Sequence, residues 1–133
     1  MMNTLNRSVI LFYLFMLGIG ISAFGQKVPV AQKVDCSKAT TQVQLNECAQ
    51  QQFLAADRKL NILYKQVMEK LSPLGRKALV KAQRGWIQFR DDNALVFAGQ
   101  YEGGSMYSMV LLNVKTATTR SRTDELQKLL KGQ

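Results

Sequence analysis

The chain has no histidine, two cysteines, two prolines and one tryptophan in 133 residues. Each scarcity closes off some chemistry. Without histidine there is no imidazole base, and no Ser–His or Cys–His pair to activate a nucleophile. Two cysteines and no histidine fall short of the four ligands of a structural zinc site. Cys36 and Cys48 are too far apart for a C-x-x-C redox motif. Acids are also scarce, 9 against 18 lysines and arginines. The adjacent ones, Asp91-Asp92 and Asp124-Glu125, would point about 100° apart on a helix. They cannot share one substrate as paired catalytic carboxyls must. Gly103-Gly104 lacks the residues that complete a phosphate-cradling loop. The expectation is a non-enzymatic protein with no metal and no cofactor.

What is present begins with an apolar run, Val9 to Phe24, behind Arg7. Ala23-Phe24-Gly25 places small residues around a cleavage point. This is the pattern of a secretory signal peptide over residues 1–25. It predicts an exported protein of the periplasm or extracellular space. Residues 26–35, with Pro29, read as a short polar tether, and 36–133 as one domain. In an oxidising compartment the two cysteines are expected to form a disulfide, Cys36–Cys48. The formal net charge is +9, or +8 without Arg7. It favours acidic partners such as anionic envelope components, or simply solubility. Export places nucleic acid last among them.

The domain reads as all-α: three helices in a small antiparallel bundle, with the disulfide at its N-terminal end. Thr41-Gln42-Val43-Gln44 is a capping box opening a helix that runs to about Leu71. Leu45, Ala49, Phe53, Ala56, Leu60, Leu63, Tyr64 and Val67 share its inner stripe. Ser72-Pro73 ends that helix and caps the next. On the second helix Leu79, Ala82, Trp86, Phe89 and Phe97 are expected to face the core, with Gln83 and Arg90 at its edge. Gly99 to Ser105 is a loop, with Ser105 as N-cap of a third helix that bends near Asn113. Leu112, Leu126, Leu129 and Leu130 share a face there, together with Lys115, Thr119 and Arg122.

Polar residues beside these stripes form the first candidate site. Asp57, Asn61 and Tyr64, with Gln83, Trp86, Arg90, Thr119 and Arg122, suggest a polar seam. In it Asp57 pairs with Arg90 or Arg122 and sets helix register. A ligand cleft is the functional alternative. The second candidate is the loop, where Tyr101, Gly103, Gly104, Ser105 and Tyr107 suit recognition of a protein surface. An ordinary connection is the plain alternative.

These motifs occur in an order that resembles the LprI N-terminal domain family, named for a lysozyme inhibitor. They are C-x11-C with its T-x-x-Q cap, Asp57-x-x-Leu60-Asn61-x-x-Tyr64, and Gln83-x-x-Trp86-Ile87-x-x-Arg90-Asp91. Gly103-Gly104-Ser105 and Thr119-x-x-Arg122-x-x-x-Leu126 complete the set. The resemblance spans Cys36 to about Leu130. It implies a small exported helical domain and, as partner, a lysozyme-type muramidase whose activity it blocks. An envelope-binding module and an immunity protein against a secreted toxin are the alternatives. Many relatives carry a second cysteine pair. Here residues such as Ala94 and Val114 stand in those places, which suggests a looser loop at Gly99 to Ser105. Animal lysozymes are generally basic, so a +8 inhibitor would meet long-range repulsion. A cation such as Lys115 or Arg120, beside the loop hydroxyls, is the expected local complement to the enzyme's catalytic carboxyls.

Overall fold

The computed structural model describes residues 34–132. The expected leader, residues 1–25, and most of the expected tether lie outside the described residues. Three helices follow in order: α1 Gln42–Lys70, α2 Pro73–Ala98 and α3 Tyr107–Lys131, with a short 3-10 turn Gly99–Tyr101 between the last two. None of the described helices is long and apolar enough to cross a membrane.

The caps explain where the helices begin and end. Thr41 Oγ1 accepts from the Gln44 amide, and Gln44 Oε1 accepts in return from the Thr40 and Thr41 amides. The Ser72 hydroxyl accepts from the Gly75 amide, with Pro73 in the first turn, where its missing N–H costs nothing. Arg76 Nε donates to the Leu71 carbonyl at 2.9 Å, satisfying a carbonyl that the end of α1 would leave open. The two helices therefore reverse direction across only Leu71 and Ser72.

Cross-helix bonds fix the directions. Asp57 meets Arg90, Asp91 meets Lys115 and Gln83 meets Arg122. As residue numbers rise on α1 or α3 they fall on α2, so α2 is antiparallel to both. α3 packs along α1 most extensively and along α2 next. The larger apolar side chains gather at the α1–α2 turn. Leu60, Leu63, Val67, Leu79 and Leu126 are buried together, flanked by Tyr64, Met68, Leu71, Trp86 and Leu130. The other half is filled by small residues, among them Cys48, Ala49, Ala94 and Ala98. Cys36 and Cys48 are bonded, Cα to Cα 5.6 Å, folding the pre-helix segment onto the start of α1.

The expectations for α2 and α3 need correction. On α2 the buried line is Leu79, Arg90, Ala94 and Ala98, whereas Ala82, Phe89 and Phe97 are exposed. The inward face is turned roughly 70° from the one the aromatic residues suggest. Gln83 and Arg90 lie at its centre rather than its edge. On α3 the buried line is Thr116, Thr119, Thr123 and Leu126, with Leu129 exposed. Thr116 and Thr123 donate their hydroxyls to the Leu112 and Thr119 carbonyls one turn back, so a methyl group is left to pack. α3 is also one unbroken helix through Asn113, and Ser105 does not cap it. Its N-cap is Met106, without a side-chain bond.

Candidate functional site

The predicted polar residues fall into two nodes. In the first, Arg90 reaches inward from α2 with its side chain only 10% exposed. Its Nε donates to Asp91 at 2.9 Å and its Nη1 to Asp57 of α1 at 3.4 Å. Its guanidinium lies over both the Phe53 and Trp86 rings, 5.3 Å from each centroid. Lys115 of α3 closes the node, 3.1 Å from Asp91 and 5.7 Å from the Phe53 centroid. Asn61 donates to Asp57 at 2.9 Å, holding that carboxylate from the next turn. All three helices thus meet through two cations, two carboxylates and two rings. Burial pushes the Asp91 carboxyl up. The hydrogen bonds and charges of Arg90 and Lys115 outweigh this and hold it below the usual carboxylate value.

In the second node Arg122 donates to Gln83 Oε1 at 3.2 Å and to Glu125 at 2.7 Å. Asp57 therefore takes Arg90, and Arg122 takes Gln83. Tyr64 and Trp86 line the apolar cluster. Thr119 is fully buried, and its hydroxyl has no partner among the described residues. A buried hydroxyl without a bond costs on the order of 1 kcal/mol or more. Thr119→Val keeps the shape and removes that group. It should raise stability by about 1 kcal/mol in urea denaturation, and a loss would show that the hydroxyl has a partner.

The loop is a closed turn. The Gly104 amide donates to the Tyr101 carbonyl at 2.9 Å, and the Tyr107 amide to the Gly104 carbonyl at 3.2 Å. Gly103 has φ +73°, which glycine alone adopts readily. A Cβ on Gly104 would stand 3.1 Å from the Tyr101 carbonyl oxygen. Asn46 of α1 donates to the Ser105 carbonyl at 3.0 Å and ties the turn to the bundle. These bonds hold the turn closed and fix it to the start of α1. Tyr101 is exposed and Tyr107 half-buried.

Neither predicted cation stands free beside this turn. Lys115 is engaged with Asp91. Arg120 lies more than a dozen residues along α3, about 20 Å away by helix rise. There it lines a cleft of about 290 Å³ with Gln52 and Lys59 of α1 and Thr123 and Asp124 of α3.

What sequence reasoning missed is the flank of α2 that leads into the turn. Phe89 is 58%, Val96 73% and Phe97 51% exposed, all within an arc of roughly 100°. Leu95, Tyr101 and Met106 add exposed apolar surface nearby in sequence. Sequence alone places these aromatic residues inward, because an apolar helix position is usually a core position. Phe89, Val96 and Phe97 thus form an apolar stripe turned to solvent rather than to the core.

The fold and this geometry define a class: a disulfide-clamped helical domain with a polar node at its centre and an exposed apolar flank. Among the described residues no group of His, Cys, Asp and Glu could hold a metal ion. The family model "Lysozyme inhibitor LprI" matches residues 35–126, and the chain belongs to that family. An uncharacterized protein of Rhizobium meliloti (strain 1021) is 36% identical over 111 residues, covering 74% of this chain and 80% of the relative. No solved structure matches significantly.

Proposed function

We propose that this protein binds a lysozyme-type muramidase and blocks it, acting outside the cytoplasm. Membership of the lysozyme inhibitor family carries the reading. The α2 flank and the glycine turn supply the surface. Phe89, Val96 and Phe97 provide apolar contact, with Asp92 and Glu102 close by in sequence and Tyr101 at the turn.

The distribution of charge supports this surface. Residues 35–57 and 85–119, the half that bears the flank and turn, hold three lysines and arginines and six acids. The remaining described segments hold twelve of the fifteen described lysines and arginines. A basic enzyme approaching the turn end therefore meets local attraction, although the whole chain is basic.

The test is a muralytic assay with the purified protein beside Phe89→Asp/Val96→Asp. The wild type should inhibit, and the variant should need at least about tenfold more protein, since charges replace apolar contacts at the interface centre. Its melting temperature should be unchanged, because both side chains are exposed. Full lysozyme activity in excess wild-type protein would sink the reading.

A further inference from the structure

The opposite end of the bundle has the opposite electrostatic character. Residues 58–84 and 120–131 hold twelve lysines and arginines and three acids. The antiparallel pairing brings these segments together, with Gln83 level with Arg122 and hence Leu74 level with Lys131. Among the described residues only Arg122 of these twelve has a carboxylate partner. Those nearest the α1–α2 reversal, among them Lys70, Lys77, Lys128 and Lys131, form a cationic collar.

The collar surrounds an exposed apolar residue. Leu74 follows Pro73 at the tip of the α1–α2 reversal and is 79% exposed. Lys77, Lys81 and Arg84 continue from Leu74 along one side of α2, at helical spacings of three, seven and ten. That side points away from the buried line of Leu79, Arg90 and Ala94. Lys70 stands in the last turn of α1, and Lys128 and Lys131 in the last turn of α3. A soluble polyanion needs only the charges. A solvent-exposed leucine among them fits an interface with an apolar layer beneath an anionic one.

We infer that the Leu74 tip and its lysine collar dock onto a membrane surface rich in anionic lipid, lysines among the headgroups and Leu74 below them. The acidic, apolar end then faces away from the bilayer, free to engage a protein. The two surfaces are independent, and either can fail without the other.

Lys33–Gln133 is one compact unit. Its core, disulfide and ion pairs are internal, so it serves as the test protein without the leader. Sedimentation with phosphatidylglycerol-containing vesicles is compared with phosphatidylcholine alone. The wild type should partition onto the anionic vesicles and be released by added salt. Lys77→Gln/Lys131→Gln should reduce partitioning roughly thirtyfold, at about 1 kcal/mol per surface cation. Leu74→Ser should reduce it about tenfold, as expected for part of a buried leucine. All three proteins should share one circular dichroism spectrum. Equal binding to both vesicle types would overturn the inference, as would no binding to phosphatidylglycerol. Unchanged binding of Leu74→Ser would also overturn it, leaving plain attraction to any polyanion.

Discussion

Arg90→Ala is expected to cost about 3 kcal/mol, the order seen when a buried ion pair loses one partner. That corresponds to a fall of roughly 10–20 °C in melting temperature for a domain of this size. Three losses combine. Asp57 and Asp91 lose their shared cation. Phe53 and Trp86 lose the guanidinium between them, worth on the order of 1 kcal/mol per contact when desolvated. The space left beneath α2 lies where all three helices meet. The figure stays at the lower end because both carboxylates are more than a third exposed and water stabilises them in part. Arg90→Lys should recover less than half, since an ammonium cannot stack flat on two rings while serving two carboxylates. Asp91→Asn should cost more than Asp57→Asn, because Asp91 sits closer to Arg90 and also pairs with Lys115. An Arg90→Ala protein as stable as the wild type would remove the node from the account.

The same node sets a direction for acid sensitivity. Asp91 has a folded pKa below its unfolded one. Its ion pairs therefore stabilise the fold above the unfolded carboxylate range, near pH 4. That stability is lost as pH falls through the depressed folded value. Urea midpoints between pH 5 and pH 2 should fall more steeply for the wild type than for Asp91→Asn, which has no such proton to take up.

Breaking the disulfide is the second large effect. Cys36 and Cys48 are 12 residues apart. Closing a loop of that length restricts the unfolded chain by about 3 kcal/mol in the chain-entropy model. Cys36→Ser/Cys48→Ala should lose that much, with alanine chosen because Cys48 is buried and a serine there would add an unpaired hydroxyl. The wild type under a strong reductant should match the variant. Loss should begin at the start of α1, because the bond holds the pre-helix segment over the capping box. Hydrogen exchange at the amides of residues 42–48 should rise before that of the Leu60–Leu126 cluster. A loss below 1 kcal/mol would mean that the capping box alone holds this end.

Much of the fold was legible because its signals are local. Thr41 and Gln44 announce a capping box within four residues, and Ser72-Pro73 announces a stop and a start. The α1 stripe was legible because its inner residues are mostly larger apolar ones at regular spacing. α2 and α3 were harder for one shared reason: their buried lines do not look buried. Arg90 is charged, Ala94 and Ala98 are small, and Thr116, Thr119 and Thr123 are polar by composition. Phe89, Val96 and Phe97 look like core yet are exposed. Hydrophobicity assigns each residue by its own transfer preference. Inside this bundle, placement also depends on what partner is available. Arg90 is tolerable inside because two carboxylates and two rings await it, and the threonines because two of them bond their own backbone.

The candidate sites divide along the same line. Asp57, Gln83, Arg90 and Arg122 could be picked out as residues needing partners, but their pairing could not. Asp91 and Lys115, one helix apart, joined the node only in three dimensions. By itself the sequence determined the helical class, the boundaries of α1 and α2, the cysteine pairing and the family motifs, all of which depend on neighbours along the chain. The tertiary structure alone decided which faces turn inward, that Arg90 meets Asp57, and that the charge separates into an acidic turn end and a basic tip. Those depend on how three helices are rotated and stacked, and that rotation follows from the packing of all three together, which no single helix encodes.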